Sequence, residues 1–306
     1  MNSKVEIKTL GALIKRNSKM FFKDKGIFFT SLVTPLILLV LYATFLANVY
    51  RDSFASSMPE GFNVPEKLIE GTVGGQLFSS LLAVCCVTVS FCANMLMVQD
   101  KVTGTRNDLT VSSVKNSTLA LGYYISTTLT TLLVCLVATI ACFIYIAIAG
   151  WSLSVSDIFL ILLDIFLLSA FGTALSSVIN FFLTSQGQIS AVGTIVSAGY
   201  GFICGAYMPI SQFGAGLRNA VAFLPGTYGT SLLRNHALNG VFAEMSSLGF
   251  PPEAIKGIKD SIDCNIYFFG HGVPQGAMYA ILALSVALLV GVYILLNVWK
   301  EKRNRK

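Results

Sequence analysis

Residues 97–117 read MVQDKVTGTRNDLTVSSVKNS, and the reading of this stretch decides the fold. It packs acids, bases, a glycine and several hydroxyls between two long apolar runs. Upstream, residues 71–99 carry no charge, and downstream neither do residues 117–156. An α-helix needs about 20 apolar residues to cross a hydrocarbon core of about 30 Å. The stretch is therefore a polar link between two membrane-crossing helices.

The same test extends along the chain. Residues 26–50 are free of charge, and so are residues 276–299. Residues 165–217 are also uncharged and are broken at SQGQ, residues 185–188, which reads as a tight turn between two crossings. The pattern predicts six spans, near 27–50, 74–97, 119–149, 157–183, 188–208 and 276–299. Composition agrees: of 306 residues 54% are hydrophobic and 12% charged, about half the charged share usual in a globular domain. Mean hydropathy is +0.72. These values exclude a soluble domain and predict an all-α polytopic membrane protein forming one transmembrane domain over residues 1–306. The first run is too long for a signal-peptide core and lacks a small-residue cleavage site behind it, so it is expected to stay in the protein.

Charge sets the orientation. Of the 21 Lys and Arg residues, fifteen lie before the first span, between Val98 and Thr118, or after Trp299, and the opposite loops hold six. Cytoplasmic segments carry the Lys/Arg excess. Both termini and the 98–118 link are expected in the cytoplasm, and the protein in the cell (plasma or inner) membrane.

Residues 1–25 place Ile7, Leu10, Ile14 and Phe21 at helical spacing, with Lys8, Lys15, Lys19 and Lys23 on other faces. This is an amphipathic basic helix suited to the headgroup region of anionic lipid. In the fifth span Gly193, Ser197, Gly201 and Gly205 recur every four residues. Such a stripe lets helix backbones approach closely, either within the chain or across a dimer axis; pattern alone leaves the two open. Residues 209–275 follow, too apolar for an ordinary loop yet cut by Pro225-Gly226, Arg218 and Arg234. They are read as short external re-entrant helices, with a loop from Val241 to Pro274.

Asp164 falls inside the fourth span, where a carboxylate costs roughly 2.5–3.5 kcal/mol on insertion scales. No buried Lys, Arg or His partner is evident for it. It is either a proton, ion or substrate contact, or a structural acid bonded to neighbouring hydroxyls. The two histidines, His236 and His271, lack ligand spacing and read as surface residues. Six cysteines fall in spans and Cys264 in an external loop, so neither a disulfide framework nor a metal site is expected. No phosphate loop, dinucleotide fingerprint, zinc-protease motif or nucleophile elbow occurs. The chain is thus expected to be no enzyme, to have no catalytic residues and to bind no cofactor or nucleic acid.

At this point the link itself resembles a known pattern. QDKVTGTRNDLTVSSV is similar to the cytoplasmic loop between the second and third spans in permeases of the type-2 ATP-binding-cassette (ABC) family. Asp100, Lys101, Gly104-Thr105, Leu109 and Ser112-Ser113-Val114 stand at matching places. Asp100 replaces the more usual Glu, and Ser113 stands where Pro is common. The phrase YMPISQF…LPGTYGTSLLRNHAL resembles the multidrug or antibiotic-exporter branch. The resemblance implies a permease paired with a second copy or a homologue, and driven by a separate ATPase subunit that carries ATP and Mg. That subunit would dock on Asp100, Lys101, Gly104, Thr105, Arg106 and Leu109, the charged residues setting docking register. By resemblance the second and fifth spans face the translocation path, which here offers Phe91, Asn94, Met95, Thr194, Ser197 and Tyr200. A mostly apolar lining with hydroxyls suits hydrophobic or amphipathic cargo. The alternative is a self-sufficient secondary transporter or channel using Asp164.

Overall fold

A computed structural model describes residues 3–56, 65–111, 114–149 and 152–304. Among them it contains twelve α-helices and one small hairpin: α1 (Ser3–Lys23), α2 (Lys25–Leu41), α3 (Ala47–Ser56), α4 (Glu66–Val102), α5 (Thr105–Val111), α6 (Asn116–Ala149), α7 (Val155–Phe182), α8 (Gln186–Ile203), α9 (Ala215–Val221), α10 (Pro225–Ser247), α11 (Pro252–Ser261), β1 (Ile266–Phe268), β2 (His271–Val273) and α12 (Gln275–Asn304). A π-helical turn over Tyr42–Leu46 joins α2 to α3.

Among the described residues, five helical segments are long and apolar enough to cross a membrane: Lys25–Asp52, Glu66–Val102, Asn116–Ala147, Val155–Phe182 and Gln275–Lys300. The fifth predicted span, 188–208, coincides with α8, which at 18 residues is about 27 Å long and is not among the five. It is shorter than the 188–208 run because it stops at a Schellman-type cap. Gly205 adopts φ +76°, its N–H reaches the Phe202 carbonyl at 3.2 Å, and the Ala206 N–H reaches Gly201 at 2.8 Å.

Helix α4 is the axis. Its 37 residues run about 55 Å and are buried over nearly all of their apolar length, whereas α12 and the Lys25–Asp52 segment are mostly exposed. A helix apolar all round belongs inside, and one exposing Leu284, Leu288 and Leu295 faces lipid. α6, α7, α10, α2 and α8 pack around α4. The approach of α7 is close: a Cβ on Gly172 would stand 2.9 Å from the Val87 Cα and 3.0 Å from the Cys86 carbonyl. Asn94 Nδ2 then donates to Ser176 and Ser177, both at 2.9 Å.

The turn at SQGQ is a capping box. Ser185 caps α8 while the Gln188 side chain returns to the Ser185 N–H. α7 opens on the same device, with Ser154 and Asp157.

Three readings of the sequence need correction. First, α1 packs along α6 and buries Leu13, Asn17 and Phe21. Of the predicted stripe only Phe21 is fully buried, and Ile7 is 67% exposed, because the inward face is set by the protein as well as by lipid. Second, residues 241–274 are not a plain loop: they complete α10, then form α11 and the antiparallel pair of β1 with β2. Cys264 there is buried. Third, Arg234 does not interrupt a helix. It lies fully buried inside the 23-residue α10. The break at Pro225-Gly226 does occur, as the start of α10, where Gly229 packs closely on α7: a Cβ there would stand 2.6 Å from the Leu168 Cδ1.

Candidate functional site

The link between α4 and α6 is an elbow. Gly104 takes φ +83°, a left-handed conformation that only glycine adopts freely, and the seven-residue α5 starts at Thr105. Ser112 and Ser113 lie outside the described residues.

Four ties hold the elbow from behind. Asp100 is 4% exposed and receives a two-pronged bond from Arg16 of α1 (2.6 and 2.8 Å) and one from the Tyr123 hydroxyl of α6 (2.5 Å). The carboxylate holds the Arg16 guanidinium above its ordinary range by hydrogen bonding. Lys101 Nζ donates to three carbonyls at the end of α7, those of Asn180 (2.7 Å), Phe181 (2.8 Å) and Leu183 (3.0 Å). A lysine there satisfies carbonyls that a helix end leaves orphaned. Arg106 is buried and donates from Nη2 to Asn297 of α12 at 3.0 Å. Both α1 and α12 therefore reach the elbow.

Asp100, Lys101 and Arg106 point into the bundle, not outward. What the elbow presents outward is Val102, Thr103, Asn107, Asp108 and Val111, with Val111 84% exposed. Leu109 is half-buried, and it packs with the cluster around Leu13, Met97 and Tyr293.

A groove of about 630 Å³ opens between α2, α4 and α8. Met95, Thr194, Ser197 and Gly193 line it, joined by Gln99, Thr30 and Thr34, which sequence reasoning missed. Asp24 and Gln186 place its mouth at the elbow end. Phe91 and Tyr200 line a separate apolar cavity of about 200 Å³ between α4, α7 and α8. Asn94 lines neither; its amide is turned to α7. The six path residues thus fall into three places.

In the small-residue stripe, Gly193 faces Met95, Gly201 faces the Tyr207 ring, and Gly205 faces Ile210 and Asp263.

At the opposite end two polar clusters bind α10. Arg234 donates to the carbonyls of Ile262 (2.7 Å) and Gly205 (2.9 Å) and to Ser80 (3.2 Å), and pairs with Asp263 at 3.4 Å. Asp263 also accepts the N–H groups of Ile210 (2.6 Å) and Ser211 (3.0 Å). Deeper, Asp164 is fully buried and has the partner that sequence did not reveal: His236 Nδ1 at 2.6 Å, with the Tyr279 hydroxyl donating at 2.7 Å. His236 is therefore no surface residue, whereas His271 is exposed. One signal was available: an intramembrane acid demands a partner, and the chain has only two histidines.

Among the described residues no group of His, Cys, Asp and Glu is placed to hold a metal, and all seven cysteines are free thiols. Among known families, the model described as "ABC-2 type transporter" matches residues 8–237, more than half of the chain. No curated protein matches it.

Proposed function

The chain belongs to the ABC-2 type transporter family, and from that premise we propose that it is the membrane-spanning subunit of an exporter driven by a separate ATPase chain. The ATPase, carrying ATP and Mg, docks on the elbow. Its closure moves the bundle between inward-open and outward-open states, and a hydrophobic or amphipathic substrate leaves the cytoplasm. Two permease copies, or this chain and a homologue, complete the assembly in the cell membrane with both termini cytoplasmic. Residues 209–275 form its external helical hairpin.

The observation that carries this reading is the elbow's two-sidedness. Its inner face is tied to α1, α6, α7 and α12 by Asp100, Lys101 and Arg106. Its outer face is left free by Val102, Thr103, Asn107, Asp108 and Val111. A push on α5 reaches four helices at once. The docking contacts accordingly belong to that outer face, with Gly104 and Thr105 shaping the turn. The groove holding Met95, Thr194 and Ser197 receives the cargo. Its apolar walls carry hydroxyl and amide groups and the single acid Asp24, which suits an uncharged or cationic amphiphile.

The test is co-purification of the tagged chain from its native membrane under gentle extraction. A stoichiometric partner bearing a phosphate loop is expected, and Val111→Glu is expected to remove it while leaving the fold intact. Recovery of the chain without any ATPase would defeat the reading.

The second reading, a self-sufficient secondary transporter or channel, draws support from the contact of Asp164 with His236. Asp164→Asn separates the two. Under the first reading transport persists at near wild-type rate; under the second it is abolished.

A further inference from the structure

Where α4, α5, α7 and α12 meet at the elbow, three cations converge. Lys101 Nζ stands 5.7 Å and Lys300 Nζ 5.6 Å from the centre of the Phe181 ring. Arg106 is near enough to both lysines for their charges to repel. None of the three forms an ion pair with a carboxylate among the described residues. Asp100, the adjacent acid, is already occupied by Arg16 and Tyr123. Arg106 is only 9% exposed, and its Nη1 is buried without a hydrogen-bond partner.

An orphaned guanidinium nitrogen in a net-positive cluster is costly unless an anion joins it. The donors present suit one anion best. A guanidinium fork matches the oxygens of a phosphate group, and a lysine adds a mobile point charge. The level of the cluster indicates the source. Trp299 is 59% exposed, and Arg303 lies 5.6 Å from its ring; an exposed Trp at a helix end marks the membrane–water interface. Lys300 is the next residue, and Lys302 and Arg303 complete a basic last turn. Basic pockets between spanning helices at this depth take anionic lipid headgroups.

We propose that Arg106 and Lys300, with Lys101 behind them, bind the phosphate of an anionic phospholipid at the junction of α4, α5, α7 and α12. The lipid then joins the elbow to α12 through Arg106, beside the bond to Asn297. This site is independent of the ATPase contact, which lies on the other face of α5.

The purified full chain in a neutral maltoside detergent tests it. Dioctanoyl phosphatidylglycerol, dioctanoyl phosphatidylcholine and inorganic phosphate are titrated separately, with thermal unfolding and lipid retention in native mass spectrometry as readouts. Phosphatidylglycerol is expected to raise the unfolding temperature and to remain bound; the other two are not. Among the described residues the Lys300 ammonium makes no hydrogen bond, and its contact is with the Phe181 ring, so Lys300→Gln keeps the fold even if an Arg106 variant fails. It is expected to weaken phosphatidylglycerol binding about five-fold, and Arg303→Gln to leave it unchanged. The proposal is overturned if Lys300→Gln binds like wild type, or if Arg303→Gln loses as much, which marks a diffuse surface attraction. Equal stabilisation by phosphatidylcholine overturns it too, and the same shift with inorganic phosphate replaces the lipid by a soluble anion.

Discussion

Arg234 shows what a single buried charge does here. It is 0% exposed, and its bonds draw α10, the end of α8, Ser80 within α4 and the strand-side loop together. Removing one partner of a buried pair leaves the other charge desolvated, at a cost of about 3–5 kcal/mol. Arg234→Met is expected to destabilise the folded chain by that order in detergent denaturation, and adding Asp263→Asn should recover part of the loss. In the sequence this arginine reads as a loop marker, since charge ordinarily signals exposure. The acceptors that make burial tolerable are two carbonyls, a serine and an aspartate far away along the chain, and no local spacing announces them. Asp164 and His236, 72 residues apart, were hidden for the same reason. Asp100 was legible as part of a motif, but its inward direction was not, because that depends on Arg16, which lies 84 residues away.

At the scale of elements, the helices were legible where physics is local. Uninterrupted apolar length marks α4, α6 and α12, the charge-free run from residue 165 marks most of α7, and the SQGQ break marks the turn before α8. Helix ends set by tertiary contact were not legible; α10 is the clearest case, a helix too polar for a span that survives because α4, α7 and α12 enclose it. Close packing between elements carries its own prediction. At Gly172 a Cβ already meets the α4 backbone at 2.9 Å, and backbone cannot move aside as a side-chain tip can. Gly172→Leu should force α7 from α4, costing at least about 1–3 kcal/mol for overpacking. Fluorescence-detected gel filtration should show loss of the folded peak, while Gly199→Leu, where nothing lies within 4 Å, should keep it.

Taken whole, the molecule is a lipid-facing shell of α2 and α12 around a buried α4, with the elbow at one end and the α9–α11 cap at the other. The shell was readable from hydropathy; the division between moving and fixed parts was not, since it lies in contacts between distant residues. Under the proposed mechanism energy enters from outside the polypeptide. Vesicles containing this chain alone should therefore accumulate no cargo against a gradient, and should do so once the ATPase and ATP are added. The grip of Lys101 on three carbonyl oxygens at the end of α7, those of Asn180, Phe181 and Leu183, restricts how such a stroke proceeds. Sliding α4 along α7 by one turn, about 5.4 Å, would break all three bonds together. Under the proposed mechanism the pair would therefore travel as one beam, and the parting line of the cycle would fall on its other flank, where α2 and α8 border the groove.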